Sequence, residues 1–159
     1  MGAEKIRIVY MMRHGDAVAG ADDSARPLSE KGRREVKRVA EFLSRQGSRV
    51  DVFYSSFKLR AQETAGIVKD IVNPKAVIHL RDDINPNDLT ESIFAEMARW
   101  PGNEMVVSHL PFLPKLVSRL TTGQEDERPI NLPTGSVAVL AQTSSRHWKI
   151  QKMILPEKI

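Results

Sequence analysis

Hydrophobic residues along this chain come in two spacings that alternate from the N-terminus almost to the end. The stretch Ile6-Arg7-Ile8-Val9-Tyr10-Met11-Met12-Arg13-His14-Gly15-Asp16 starts as an apolar, partly β-branched run and stops abruptly at an arginine, a histidine and a glycine. Such a run predicts a buried strand. A loop rich in Ala, Asp, Gly and Ser follows from Asp16 to Pro27. Ser29 then stands as a helix N-cap, with Val36, Val39, Ala40 and Leu43 at helical spacing before a closing Gly47. Val50 to Ser55 reads as a second strand. Lys58 to Val72 reads as a helix with Ala61, Ala65, Val68 and Val72 on one face, stopped by Asn73-Pro74. Ala76 to Leu80 is a short third strand, and Arg81 to Asp88 a polar loop. Asp88 and Glu91 have the spacing of a capping box for a helix that turns Ile93, Phe94 and Met97 inward.

Glu104 to Ser108 is the fourth strand and runs directly into His109-Leu110-Pro111. Pro111 suits the first turn of a helix whose apolar face is Leu113, Leu116, Val117 and Leu120. After a polar loop from Thr121 to Pro133, Thr134-Gly135 turns the chain into a fifth strand, Ser136 to Ala141. A turn over Thr143 to His147 then leads to Trp148 to Ile154, pairing back as a hairpin. The four strand-and-helix pairs predict an α/β fold: a mostly parallel central sheet between two layers of helices, a three-layer α/β/α sandwich.

Composition narrows the class. The 159 residues fit one domain with a sizeable core, and 41% apolar with 28% charged residues is an ordinary globular balance. No apolar run is long enough to cross a bilayer, and Glu4, Lys5 and Arg7 interrupt any signal-peptide pattern, so no membrane partner is expected. Cysteine is absent, which removes disulfides and thiolate chemistry and fits a reducing, cytoplasmic setting. A net charge of +4 without a Lys/Arg run interleaved with aromatics argues against nucleic acid as a partner. A mildly basic balance also suits an enzyme that attracts phosphate.

The chemistry collects at strand ends. In a parallel sheet, ligands bind past the carboxyl ends of the strands. Those ends carry Arg13-His14-Gly15, Ser55-Ser56 leading to Arg60, and Ser108-His109, so two arginines and two histidines converge. Gly15 lets the chain turn sharply and approach a bound group closely. Arginine offers a planar fork of donors matched to phosphate oxygens. Two arginines and a protonated histidine can neutralise a phosphoryl group in transfer, while the other histidine attacks as a neutral imidazole. No metal or other cofactor is needed for this, and neither a Cys/His metal spacing nor a G-x-x-x-x-G-K-[ST] phosphate loop appears.

At these residues the chain resembles the histidine phosphatase superfamily, which includes the phosphoglycerate mutases. The likeness is carried by Arg13-His14-Gly15-Asp16-Ala17, Arg26-Pro27-Leu28, Ser55-Ser56 with Arg60-Ala61 and Thr64-Ala65, and Val107-Ser108-His109-Leu110-Pro111. It is strongest to the short SixA-type phosphohistidine phosphatases and spans nearly the whole chain. The resemblance implies a phosphoglycerate mutase-like fold and a phosphorylated His14, with Arg13, Arg60 and His109 holding the phosphoryl oxygens and Arg26 adding a contact. Larger relatives supply a glutamate as general acid. Here the options are Asp83, the nearer match, its neighbour Asp82, and Asp23 in the loop before Arg26. A phosphohistidine leaves as imidazole and needs little help from an acid. Larger relatives also carry helical lids, where this chain has only the loop from Arg81 to Asp88. The resemblance therefore implies an open site and, as partner, a phosphohistidine-bearing protein. A small phosphorylated substrate and a phosphate-binding domain without turnover remain as alternatives. His79 and His147 lack any such context and read as a strand-face and a turn histidine.

Overall fold

The computed structural model describes residues 6–127, 129–142 and 147–159. The strands are β1 (Arg7–Arg13), β2 (Val52–Ser56), β3 (Val77–Arg81), β4 (Glu104–Ser108), β5 (Val137–Gln142) and β6 (Trp148–Ile154). The helices are α1 (Glu30–Arg45), α2 (Leu59–Val72), α3 (Glu91–Met97) and α4 (Phe112–Thr122). All six strands form one sheet in the order β3-β2-β4-β1-β5-β6. β3, β2, β4 and β1 are parallel, and β5 and β6 are antiparallel additions at one side. The sheet is thus mixed.

The central strands are apolar on both faces because both faces are covered. Alternation along β1 sends Tyr10 and Met12 to one core, where they meet Val36, Val39 and Leu43 of α1 and Ala61, Ala65 and Val68 of α2. It sends Val9 and Met11 to the other, with Ile93 and Met97 of α3 and Leu113, Leu116 and Val117 of α4. β4 divides Met105 and Val107 from Val106 in the same way. Phe53 and Phe112 are among the largest side chains with no exposure. Truncating either to alanine costs about 3–5 kcal/mol.

Caps set the helix ends. Ser29 accepts from the Gly32 amide at 3.0 Å and starts α1, as its position in sequence suggests. The chain leaves α1 through Gly47 at φ 72°, a left-handed value that favours glycine. The expected capping box at Asp88 and Glu91 does not form. Thr90 is the N-cap of α3, and Asp88 instead accepts from the backbone and side-chain nitrogens of Asn85 at 2.8 and 2.9 Å. The Asn-Pro-Asn-Asp sequence makes a local turn with its own carboxylate, which satisfies Asp88 before the helix starts. Pro111 is the N-cap of α4 rather than a residue of its first turn. Residues 143–146 of the expected Thr143–His147 turn lie outside the described residues.

The connections leaving β1 and β4 fix where a ligand can sit. These neighbours are parallel, with Arg13 opposite Ser108. β1 feeds α1 on one face and β4 feeds α4 on the other. Their carboxyl ends therefore part at a topological switch point, the crevice where open α/β sheets bind ligands. After α4 the chain returns to this edge, where the Gly135 amide donates to the carbonyls of Arg13 (3.1 Å) and His14 (2.9 Å). β5 then runs away from that edge, which makes it antiparallel.

Candidate active site

His14 leaves β1 and His109 leaves β4 at the switch point, and the His14 amide donates to the Ser108 carbonyl at 3.1 Å. Their rings stand 5.0 Å apart between centroids, tilted by 49°. Both are buried, His14 at 8% and His109 at 1% exposure. The backbone determines the state of His14. Its Nδ1 lies 2.7 Å from the Gly15 carbonyl, and since a carbonyl only accepts, Nδ1 carries the proton and Nε2 keeps the lone pair. Burial pulls its pKa from 6.5 down to about 4, and the charges of Arg60, Arg13 and Arg26 push the same way. His109 falls to about 3, chiefly by burial and then by His14, Arg60 and Lys58. Both imidazoles are neutral at pH 7, and the nearby positive charge is guanidinium.

Arg13 and Arg60 each reach the site with a buried Nε uncommitted. Arg13 donates through Nη1 to the Leu132 carbonyl at 3.2 Å, and its buried Nε has no partner. Arg60, 4% exposed in the first turn of α2, donates through Nη1 to the Asp23 carbonyl at 2.8 Å, and its Nε is likewise buried without a partner. Unpaired buried N–H groups are costly, and an anion is what would satisfy them. Gly15 packs so closely that a Cβ there would lie 2.7 Å from Val36 Cγ2. Its amide donates to Thr64 Oγ1 at 3.0 Å, and Thr64 in turn donates to the Arg60 carbonyl at 2.7 Å. α2 thereby fixes the His14 loop and Arg60 together.

The resulting set is a neutral imidazole with a free lone-pair nitrogen, a second imidazole beside it, and two guanidinium groups with unpaired donors. It can hold a tetrahedral dianion and present a nucleophile to it. A model of the histidine phosphatase superfamily (branch 1) matches residues 9–86. The phosphohistidine phosphatase SixA of Escherichia coli is 30% identical over 82% of each chain. The chain belongs to the histidine phosphatase superfamily. Among solved structures, that of the protein histidine phosphatase SixA complexed with tungstate has a TM-score of 0.85 at 28% identity, covering 94% of this chain and 97% of that one. A mycobacterial glucosyl-3-phosphoglycerate phosphatase complexed with VO3 has a TM-score of 0.69 at 16% identity over 92% and 98%, a likeness of fold alone. Homology to this histidine phosphatase family supports phosphatase activity, and the α/β fold expected from the sequence is the one these proteins share.

The remaining candidate residues fall into two groups. Arg26 joins the cluster through Asp23, whose carboxylate lies 3.1 Å from Arg26, 2.6 Å from Lys58 and 3.4 Å from Arg60. Lys58 first, and Arg60 with it, hold the Asp23 carboxyl far below the usual carboxylate range, so it carries no proton to donate. Asp83 is bound edge-on by Arg81 at 2.8 and 2.7 Å and accepts from Ser92 at 2.9 Å. Those bonds lower its pKa as well, and Arg81 also pairs with Glu96 at 2.6 Å. Both carboxylates are therefore committed to cations, which is poor equipment for a general acid. Asp82 is exposed, as are His79 on β3 and His147. Thr64 and Lys58 had no separate role in the sequence reading. Thr64 lies four residues after Arg60, the spacing at which a threonine hydroxyl reaches back to a main-chain carbonyl one helical turn earlier. Among the described residues, no group of three or more His, Cys, Asp or Glu is placed to hold a metal ion. A separate hollow of about 460 Å³ lies by the start of β1, lined by Arg7, Phe94, Met97 and Trp148, away from the histidine pair.

Proposed function

We propose that this protein is a phosphohistidine phosphatase that removes the phosphoryl group from a histidine on another protein through a phosphorylated His14. The observation that carries the reading is the state of His14: Nδ1–H is committed to the Gly15 carbonyl, so Nε2 is the nucleophile, among two arginines with unpaired donors. Nε2 attacks phosphorus as the bond to the substrate imidazole breaks. Water then attacks the phosphorylated His14, the P–N bond breaks, and Nε2 recovers its lone pair as phosphate leaves. Arg13, Arg60 and His109 hold the phosphoryl oxygens, and Arg26 reinforces the cluster from the rim, where Asp23 holds it beside Arg60.

The substrate follows from the acid. With Asp23 and Asp83 kept ionised, the enzyme is poorly equipped to protonate an alkoxide. A phosphohistidine protonated on its other ring nitrogen leaves as neutral imidazole and needs no such donor. The similarity to SixA supports the same substrate class. Because the guanidinium groups supply the positive charge, the reaction proceeds without metal, and activity is expected to survive a chelator.

Phosphate release from a phosphohistidine-bearing protein and from an aryl phosphate, for wild type and His14→Ala, tests the proposal. Faster release from phosphohistidine, lost in the variant, supports it. Ester hydrolysis that dominates and is lost in the variant would move the substrate to small phosphates. Full activity in His14→Ala would remove the nucleophile.

A further inference from the structure

His109 Nε2 lies 2.7 Å from Ser56 Oγ, and its Nδ1 is buried without a partner. Ser56 comes from the end of β2 and has no exposure. Either atom of the Ser56–His109 pair can donate, so the contact alone leaves the tautomer open. The neighbouring partners decide it. The Lys58 amide donates to the same Ser56 Oγ at 3.3 Å. That oxygen has two lone pairs and can accept from the amide in either arrangement, so what differs is whether its own proton finds an acceptor.

The two arrangements differ in what they leave unmatched. If Ser56 donates to Nε2, every polar atom of the pair is matched except Nδ1–H, a single donor. If Nε2–H donates to Ser56, the Ser56 hydroxyl proton has no acceptor and the Nδ1 lone pair has no donor, both in a buried setting. Buried polar groups are matched wherever the structure allows it, so the first arrangement wins.

We infer that Ser56 is a positioning residue that sets the ring tautomer of His109, donating to Nε2 and leaving Nδ1–H as the free donor of a ring 5.0 Å from His14. Free neutral histidine in water favours the opposite, Nε2–H tautomer, so the chain Lys58 N–H to Ser56 O–H to His109 imposes a state that the side chain would not choose. The low pKa of His109 agrees with a neutral ring that has a fixed tautomer to set. The consequence for turnover rests on the phosphatase reading: His109 meets the transferred phosphoryl group as a neutral N–H donor, already oriented.

The test starts with the wild-type protein and needs no turnover. Nitrogen NMR of the imidazoles near pH 7 should give His109 a pyrrole-like Nδ1 and a pyridine-like Nε2. Ser56→Ala should release the ring towards Nε2–H and lower kcat for an aryl phosphate about tenfold or more, with KM little changed. Ser56→Thr, which keeps the hydroxyl, should restore both. A wild-type His109 protonated on Nε2, or a tautomer unchanged in Ser56→Ala, would overturn the inference. The inferred tautomer in a protein that turns over no phosphate would support it while removing the phosphatase reading.

Discussion

Replacing Gly32 with alanine sets two effects of opposite sign against each other. Gly32 lies in the first turn of α1, and a helical glycine is intrinsically worth up to about 1 kcal/mol less than alanine. On that ground the substitution should stabilise the protein. A Cβ at Gly32, however, would lie 2.1 Å from the Asp16 carbonyl oxygen and 3.0 Å from the Asp16 nitrogen and carbonyl carbon. These are backbone atoms, so no side chain can rotate away, and helix and loop must separate. The separation also strains the 2.9 Å bond from the Ser29 amide to that carbonyl. Overpacking of this kind costs about 1–3 kcal/mol, and the strained bond adds about 1. Offset by the helical gain, the net loss is about 1–3 kcal/mol, or about 2–12 °C in Tm for a chain of this size. Asp16 is two residues after His14, so affinity for vanadate should fall as well. Gly66 in α2 is the control: nothing lies within 4 Å of a Cβ there, and Gly66→Ala should raise stability by up to about 1 kcal/mol. Urea unfolding at constant slope measures both. A Gly32→Ala midpoint at or above wild type would refute the close packing of α1 on the His14 loop.

Arg60→Ala should weaken vanadate binding by tenfold or more, about 1.4 kcal/mol, because it removes a buried guanidinium with an unpaired donor, and unchanged affinity would sink the anion site as described. Stability should also depend on pH through the histidine pair. Both rings are neutral in the fold, with pKa values lowered from 6.5 to about 4 and about 3, and both take up protons on unfolding. The stability they confer is complete above pH 6.5 and is lost as pH falls towards 4 for His14 and towards 3 for His109, at about 1.4 kcal/mol per pH unit for each ring. His14→Asn should flatten this decline, and equal slopes for variant and wild type would contradict the burial-driven shift.

Residues that act through their neighbours in sequence were legible in the sequence, and residues that act across the fold were not. The apolar runs of β1 and β4 and the stripe of α1 mark buried elements directly, and Ser29 caps α1 from the position its spacing gives. His14, Arg13, Arg60 and His109 stand out because ionisable residues end apolar strands or open the helix after one. The capping box at Asp88 failed because a local turn through Asn85 captured the carboxylate first. The clamp of Asp23 on Arg26, Lys58 and Arg60 joins a loop to the following strand-helix junction, and no periodicity encodes it. The same is true of the Ser56–His109 bond, which joins positions 53 residues apart. Such pairs become visible only once the order β2-β4-β1 brings the strand ends together.

The most direct test of the central claim is to trap the intermediate. Wild-type protein is mixed rapidly with a radiolabelled phosphohistidine protein, quenched in alkali, where phosphohistidine survives, and mapped by peptide. The expected result is label on the peptide containing His14, appearing and decaying faster than turnover is complete and absent in His14→Ala. Turnover with no label on the enzyme, or label on another residue, would contradict a pathway through phosphorylated His14.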